Sequence, residues 1–367
     1  MPQHASKGKL VAVEDDLVLR LIQVVLDPAC PPPRHAAFAD FARHDIGDFE
    51  GWLDALRKRV EPILPSRVAL VSDAASLTAA LATAHAAVLE SLPVGEAQLR
   101  SAPNLKVIYK FGTMTEGIDR RACAARGVDV RTVRRRANIS VAEHTFALLL
   151  TMARRLDKAI GLVTPERLAE GGFQLASYDR QHTPGSNFGR VDATGLLAGS
   201  RLGILGLGEI GREVAGRATA FGMKAAYYQR NRVAAGLEER LGVTYAPLEE
   251  LLVQSDFVTI HLPMNASTQG LLDARRLALM PAHACLVNTS RAQIVEQQAL
   301  QDALLSKRLR TAAFDVLYSE PMQGDDPLLA IPNLLLTPHI GGGNRLNGFG
   351  DIAEIVEGIN EVLKEKT

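Results

Sequence analysis

Between residues 201 and 211 the chain reads Arg-Leu-Gly-Ile-Leu-Gly-Leu-Gly-Glu-Ile-Gly, and no other stretch limits its fold so tightly. Leu202 to Leu205 form a short apolar run of strand type. Gly206, Gly208 and Gly211 follow at the G-x-G-x-x-G spacing, and Arg212 to Phe221 reads as a helix with Val214, Ala215, Ala218 and Phe221 on one side. In a dinucleotide-binding unit the first glycine permits a tight turn, the second lets a pyrophosphate approach the backbone, and the third lets helix and strand pack closely. The pyrophosphate then lies on amides at the helix N-terminus. Glycine is common, so the spacing alone is a weak signal; its place between a strand and a helix makes it a credible one.

A chain of 367 residues exceeds what a single core usually spans, so two domains are expected. Lysine plus arginine and aspartate plus glutamate are both 41, a net charge of zero that removes the simplest electrostatic case for a nucleic-acid partner. No apolar run is long enough to span a bilayer, and Met1 to Lys9 is polar, without the core of a signal peptide. Cys30, Cys123 and Cys285 are far apart and odd in number. They show no metal or redox spacing, so buried thiols in a reducing cytoplasm are expected, with no metal site.

Strand and helix patterns alternate through the first half. Leu19 to Leu26 reads as a first strand and Cys30-Pro31-Pro32-Pro33 as a stiff connector. Asp48 to Val60 reads as a helix capped by Asp48. Strands are expected at Val68–Val71, Ala86–Leu89, Leu105–Ile108 and Val128–Val130, with helices at Ser76–Ala84 and Ile118–Arg126. This rhythm implies a parallel sheet. Ser140 to Leu156 reads as a long buried helix, and residues 161 to 198 as a long connection or insertion. From Arg201 a second α/β unit begins, with strands at Leu202–Leu205, Lys224–Tyr228, Phe257–His261, Cys285–Asn288, Ala312–Asp315 and Leu334–Leu336, and a closing helix at Glu354–Lys364.

Three polar groups stand just past strands of the second unit, where open α/β sheets bind ligands. They are Asn288-Thr289-Ser290-Arg291, then Asp315 with Glu320-Pro321, then Thr337-Pro338-His339-Ile340-Gly341-Gly342. Taken singly, Arg291 reads as a surface charge, Glu320 as a loop acid and His339 as a satisfied histidine. Set together beside a dinucleotide fingerprint, they read as one crevice.

With these residues assembled, the chain resembles the D-isomer-specific 2-hydroxyacid dehydrogenases from about Asn104 to about Asn360. The resemblance rests on Gly112 to Asp119, Ser140-Val141-Ala142-Glu143-His144, Gly206 to Gly211, His261-Leu262-Pro263, Val287 to Leu300, Asp315 to Pro321 and Thr337 to Gly342, in that order. It implies a Rossmann-type dinucleotide-binding domain at 146–337, and a discontinuous flavodoxin-like α/β substrate domain made of 1–145 and 338–367. The crossovers between them would form a hinge. It implies hydride transfer between NAD(P)H and a 2-oxo acid/D-2-hydroxy acid pair. His339 would be the general acid and base, Glu320 its partner, and Arg291 the carboxylate holder, roles that suit an imidazole and a forked guanidinium. Gly206, Gly208, Glu209, Ile210, Gly211, Gln229, Arg230, His261, Pro263, Thr289, Gly341 and Gly342 would line the cofactor, and Asp315 would face its nicotinamide. Thr113 and Met114 would bind the substrate carboxylate, and Lys110 an anionic substrate tail. A homodimer using the helix near Val141 to Leu156 is also implied.

Four departures bear on these roles. At the end of the second strand, where the family often carries an acid for the ribose hydroxyls, stands Gln229, followed by Arg230, Asn231 and Arg232. A missing carboxylate beside an arginine is what a 2′-phosphate needs, so NADP is expected over NAD. Met114 replaces the second glycine of the substrate loop and adds bulk there; Ala292 replaces a glycine after Arg291; and the N-terminus and residues 161–198 are extended. Arg134-Arg135-Arg136 has two readings, an attractor for anions and a solvated turn. The rival from another class is a dinucleotide-sensing corepressor on the same fold, against which stands the lack of a polar, low-complexity recruitment tail. Oxidation of a small anion such as formate is a further enzymatic alternative.

Overall fold

The computed structural model describes residues 8–175 and 178–364. Most of the polar opening stretch, residues 1–7, lies outside them. The chain divides into two compact units, 1–138 with 343–367, and 139–342. The divisions expected from the sequence fall at 145/146 and 337/338.

The first unit carries strands β1 (Leu10–Glu14), β2 (Arg67–Val71), β3 (Ala86–Leu89), β4 (Val107–Phe111) and β5 (Asp129–Val133) in one parallel sheet, order β2-β1-β3-β4-β5. This is the flavodoxin-like order. Its helices are α1 (Leu21–Leu26), α2 (Pro32–Ala42), α3 (Phe49–Arg59), α4 (Ala74–Leu81), α5 (Glu96–Arg100) and α6 (Arg120–Ala125). The Asp48 carboxylate accepts the Gly51 amide at 2.8 Å to cap α3, an interaction worth about 1 kcal/mol. Phe49, Leu53 and Leu56 on its inner face are buried, each contributing roughly 1.5–3 kcal/mol.

Two expectations fail here. The segment read as a first strand contains helix α1, and the true first strand lies earlier, at Leu10. Leu21, Ile22, Val24, Val25 and Leu26 are all buried, so packing overrides the β-preference of the branched residues. The proline connector is the start of α2, whose first turn tolerates prolines because its amides lack intrahelical partners.

Helix α7 (Arg136–Arg154) leads into the second unit, which holds α8 (Leu156–Ala159), α9 (Pro165–Glu170), α10 (Glu209–Ala220), α11 (Ala235–Leu241), α12 (Leu248–Gln254), α13 (Ala274–Leu277) and α14 (Gln297–Leu305). Its strands are β6 (Arg201–Leu205), β7 (Lys224–Tyr228), β8 (Val243–Tyr245), β9 (Phe257–Ile260), β10 (Cys285–Asn288), β11 (Thr311–Phe314) and β12 (Leu334–Leu336). They form one parallel sheet, β12-β11-β10-β9-β6-β7-β8. The order reverses between β6 and β9, which is where such sheets open a ligand crevice at the carboxyl ends of their strands. Leu205 pairs Ile260, Ile260 pairs Asn288, Asn288 pairs Phe314 and Phe314 pairs Leu336. The residues after those five strands therefore emerge side by side.

Helix α15 (Leu346–Leu363) returns to the first unit, where Phe349, Ile352, Ile355, Val356 and Ile359 join its core. It begins at Leu346, earlier than Glu354, because neighbours fill the places its glycines leave open. A Cβ on Gly350 would sit 3.3 Å from Arg136 Nε, and one on Gly358 would collide with the Tyr109 hydroxyl.

In the arginine run, Arg134 and Arg136 are exposed, as a solvated turn has them, but the run is not free of partners. Arg135 pairs with Glu90 at 2.6 Å and lies over the Phe111 ring, while Arg136 pairs with the buried Asp351 at 2.6 Å and with Glu354 at 3.0 Å. Burial raises the Asp351 carboxyl above its ordinary value despite Arg136. The three cysteines are free; Cys123 and Cys285 are buried, and Cys30 is half-buried. Among the described residues no helix is long and apolar enough to cross a membrane.

Candidate active site

The five aligned strand ends carry the groups singled out from the sequence. Gly206 follows β6 with φ 96°, a backbone region that suits glycine, and a Cβ there would lie 2.7 Å from the His261 carbonyl oxygen. A Cβ on Gly211 would lie 2.0 Å from the Gly206 carbonyl oxygen. At Gly208 a Cβ would meet nothing within 4 Å. The outer two glycines are thus demanded by packing, whereas the middle one leaves open space at the start of α10. That helix carries Glu209, Ile210 and Gly211 in its first turn and has no side-chain cap. An uncapped first turn beside an open cradle fits a pyrophosphate.

His261 follows β9. Both of its ring nitrogens are buried without a hydrogen-bond partner among the described residues, and burial pulls its pKa down to about 3, so the ring is neutral. An orphaned imidazole next to Gly206 is a second feature that fits a dinucleotide. Pro263 is exposed, and its carbonyl accepts the Thr268 hydroxyl at 2.7 Å. Thr289 is buried, with its hydroxyl 3.1 Å from that of Thr145.

Gln229 follows β7. Its Oε1 accepts the Leu207 amide at 3.1 Å, and its Nε2 donates to the Asn231 carbonyl at 2.6 Å, so it ties the glycine turn to the end of β7. Arg232 is committed elsewhere. It forms a two-pronged pair with Glu238, 2.8 Å on each prong, and Glu238 also accepts the Tyr227 hydroxyl at 2.7 Å. These bonds hold Glu238 ionised, with its pKa down to about 2. Arg230 is exposed and makes no ion pair among the described residues.

Arg291, Glu320 and His339 follow β10, β11 and β12. The Asn288 amide donates to the Arg291 carbonyl at 2.9 Å, and its Oδ1 accepts the Ser290 amide at 3.0 Å, which fixes the turn that projects an exposed Arg291. Arg291 Nη1 donates to the Ser290 carbonyl at 2.6 Å. His339 Nδ1 lies 2.8 Å from Glu320 Oε2, and the Leu317 amide donates to Glu320 Oε1 at 2.9 Å. Burial raises the Glu320 carboxyl, but the bonds from His339 and Leu317 and the charges of His339 and Arg291 outweigh it. The group stays below its ordinary value. An ionised Glu320 keeps the proton on Nδ1, which leaves Nε2 as the nitrogen able to exchange a proton.

His339 has φ 55°, a left-handed backbone that costs a non-glycine residue about 1–2 kcal/mol. The residue that holds it there is Asp315, only 1% exposed. Its Oδ1 accepts the Thr337 hydroxyl at 2.6 Å and the Ile340 amide at 2.9 Å, and its Oδ2 accepts the Gly341 amide at 2.7 Å. His144, from α7, brings Nε2 to 3.3 Å from Oδ1 and 3.2 Å from the Thr337 hydroxyl. Burial raises the Asp315 carboxyl, and the bonds from His144, Thr337, Ile340 and Gly341 more than reverse that. Gly341 must be glycine, since a Cβ would sit 2.7 Å from Asp315 Oδ2. Gly342 closes the turn. Sequence reasoning does not find the part played by His144 and Thr337; His144 lies on a helix far upstream, and only the fold brings it to Asp315.

In the first unit, Lys110 near the end of β4 donates to the carbonyls of Glu90 and Phe111. Gly112, Thr113 and Met114 follow β4; Gly112 has φ 133°, Thr113 is exposed and Met114 half-buried. Glu14, at the end of β1, accepts the amides of Glu90, Ser91 and Leu92 at 2.7, 2.8 and 3.0 Å, and so pins the loop after β3. Among the described residues no cluster of three or more histidine, cysteine or acidic side chains could hold a metal.

Residues 146–341 match the family model for the D-isomer specific 2-hydroxyacid dehydrogenase NAD binding domain. The chain is 35% identical over 253 residues to the glyoxylate reductase of Korarchaeum cryptofilum, covering 69% of this chain and 71% of that one. It is 34% identical over 258 residues to the glyoxylate reductase of Thermococcus litoralis, covering 70% and 73%. A crystal structure of a protein from Thermus thermophilus superposes with a TM-score of 0.51 at 28% identity, over 95% of this chain and 94% of that one. The chain belongs to the D-isomer-specific 2-hydroxyacid dehydrogenases, NAD(P)-dependent oxidoreductases that interconvert 2-oxo and 2-hydroxy acids.

Proposed function

We propose that this enzyme reduces small 2-oxo acids to D-2-hydroxy acids, with NADPH the preferred donor. The observation that carries this is the His339–Glu320 pair at 2.8 Å, one strand removed from the turn that presents Arg291. The bound nicotinamide supplies the hydride. Arg291 grips the substrate carboxylate in its planar fork and polarises the neighbouring carbonyl. His339 Nε2 delivers the proton to the carbonyl oxygen, and Glu320 stabilises the imidazolium before that transfer. In oxidation the same nitrogen takes the hydroxyl proton.

Gly206, Gly208, Glu209, Ile210 and Gly211 receive the pyrophosphate, while His261, Pro263 and Thr289 border the nucleotide, with Gly341 and Gly342 beyond. Arg230, without an ion pair among the described residues, and the absent acid at Gln229 support the 2′-phosphate assignment. Asp315 acts through the turn it ties. We assign substrate choice to Lys110, Thr113 and Met114. Both relatives named above are glyoxylate reductases, so a substrate of two or three carbons is the first to test. A homodimer through the helix near Val141 to Leu156 is part of the same proposal, and Ile160 and Val163, shortly past that helix, are at least 70% exposed. The free cysteines fit a reducing cytoplasm.

The test is an initial-rate panel of glyoxylate, hydroxypyruvate, pyruvate and branched 2-oxo acids with NADPH and NADH, run on wild type and His339→Gln. Loss of the acid should lower kcat by about 10²–10⁴-fold with cofactor affinity nearly unchanged. Cofactor binding without turnover on any acid would favour the regulator instead.

A further inference from the structure

A hollow with an apolar floor and a charged rim lies in the same unit, at the other end of the sheet. It measures about 500 Å³ and is bordered by Thr311, the first residue of β11, and by Pro332 and Asn333, just before β12. These are amino ends of strands, whereas Arg291, Glu320 and His339 follow carboxyl ends. The hollow is therefore not the dinucleotide crevice.

Four cations line it: Arg155, Lys158, Lys307 and Arg310, against a single carboxylate, Asp157. The acids near them neutralise little of this charge. Asp157 is 4.0 Å from Arg155 and 3.9 Å from Lys158, and Asp192 reaches Arg155 at 3.8 Å, all at the outer limit of an ion pair. Arg310 is held by neutral carbonyls, those of Ala193 at 2.8 Å and Met152 at 3.3 Å. The Lys307 side chain has no ion pair or hydrogen bond among the described residues. The wall behind them is fixed, because the Asn333 amide donates to the carbonyls of Leu304 and Arg310, each at 3.1 Å.

The backbone adds an independent observation. Arg155 directly follows α7, Lys307 stands one residue past Ser306 at the end of α14, and the two take φ of 54° and 58°. Helices commonly end in that left-handed conformation, and glycine is the residue that ordinarily adopts it. The chain has placed an arginine and a lysine at two such positions, and both side chains border the same hollow. A helix C-terminus favours a nearby cation, but that alone does not bring four of them together.

We propose that this hollow is a binding site for a small phosphate-bearing anion, separate from the catalytic centre. Two left-handed caps and the β11 approach present the cations, and a dianion or trianion would relieve their mutual repulsion. Free phosphate and a phosphate ester share the chemistry, so both are tested.

The experiment is isothermal titration of the full-length protein with inorganic phosphate, pyrophosphate and glycerol 3-phosphate at constant ionic strength. Wild type is compared with Lys307→Asn, with Arg155→Asn/Lys307→Asn and with Arg230→Ala. Asparagine tolerates the left-handed backbone, so these variants remove charge without forcing the helix ends to change. Expected are binding by wild type and Arg230→Ala alike, a Kd raised at least about tenfold in the double variant, and an intermediate loss in Lys307→Asn. Turnover at saturating substrate should stay within about twofold throughout the cap variants. Tighter binding of glycerol 3-phosphate than of inorganic phosphate would identify an ester site, and the reverse a free-phosphate site. The proposal is overturned if wild type takes up none of the three anions, or if Arg230→Ala abolishes binding while the double variant keeps it. It is also overturned if the double variant changes the oligomeric mass and leaves anion affinity unaltered, since the hollow would then be covered by a second copy.

Discussion

Replacing Asp315 by asparagine isolates the contribution of one buried carboxylate to the geometry of the proton donor. In wild type, Oδ1 accepts the Thr337 hydroxyl and the Ile340 amide, and Oδ2 accepts the Gly341 amide. A carboxamide has one oxygen. Whichever way it is turned, its NH2 faces a backbone N–H, either that of Ile340 or that of Gly341. One charge-assisted bond is lost and one buried donor is left unmet, together costing about 2–4 kcal/mol. The turn also forces His339 into a left-handed backbone, so releasing it frees the imidazole to leave its place opposite Glu320. The expected result is a kcat lower by about 10–100-fold, because a displaced proton donor loses its alignment, with a melting temperature lower by about 5–10 °C. The carboxylate's pKa is depressed on folding, so its stabilising contribution is present above about pH 4 and is lost as pH falls through the folded value. Unfolding free energies of wild type and Asp315→Asn should therefore converge in acid. Steady-state kinetics with both cofactors and urea unfolding from about pH 3 to 8 supply the numbers. Unchanged kcat and melting would refute the reasoning. So would a raised KM for the cofactor with kcat intact, which would place the carboxylate against the nicotinamide instead.

Two further changes probe the nucleotide side. Gly211→Ala would put a methyl 2.0 Å from a backbone oxygen that cannot move without opening the glycine turn; we expect about 3 kcal/mol lost in urea unfolding and cofactor affinity below detection by fluorescence titration, and wild-type affinity would mean the close approach is not required. Gln229→Asp with Arg230→Ala should move the NADPH/NADH ratio of kcat/KM at least about tenfold toward NADH; an unaltered ratio would remove Arg230 from the phosphate site.

The sheet of the second unit is largely legible in the sequence, because central parallel strands are apolar on both faces. Cys285 to Asn288, in the middle of the sheet, is found where its composition places it, and Leu334 to Leu336, though at the edge, is apolar throughout. Strand β8 escapes such a reading, since Val243-Thr244-Tyr245 is a three-residue edge too short to show a period. Helix α1 passes for a strand because a run buried on all sides carries no helical stripe. The start of α15 is hidden by Gly348 and Gly350, which look like a turn until Val18 and Arg136 are seen filling the space beside them. Arg291, Glu320 and His339 can be found because each stands just after an identifiable strand. The partners that set their geometry cannot. Asp315 announces itself as polar, but only the fold shows its lone pairs spent on the next loop, and Arg232 looks available until its pairing with Glu238 is seen.

The return of α15 into the first unit sets an order of events on the ribosome. Residues 139–342 form one continuous stretch and contain everything their own sheet needs, so this unit can close as soon as it has emerged. The first unit, although synthesised earlier, lacks Phe349, Ile352, Ile355, Val356 and Ile359 until the last helix is made. Its core therefore stays open along the face that α15 will cover while the whole of 139–342 is translated. During that interval the nascent chain presents apolar surface on its older half and a finished sheet on its younger half. Of the two units, the one begun first is the one completed last.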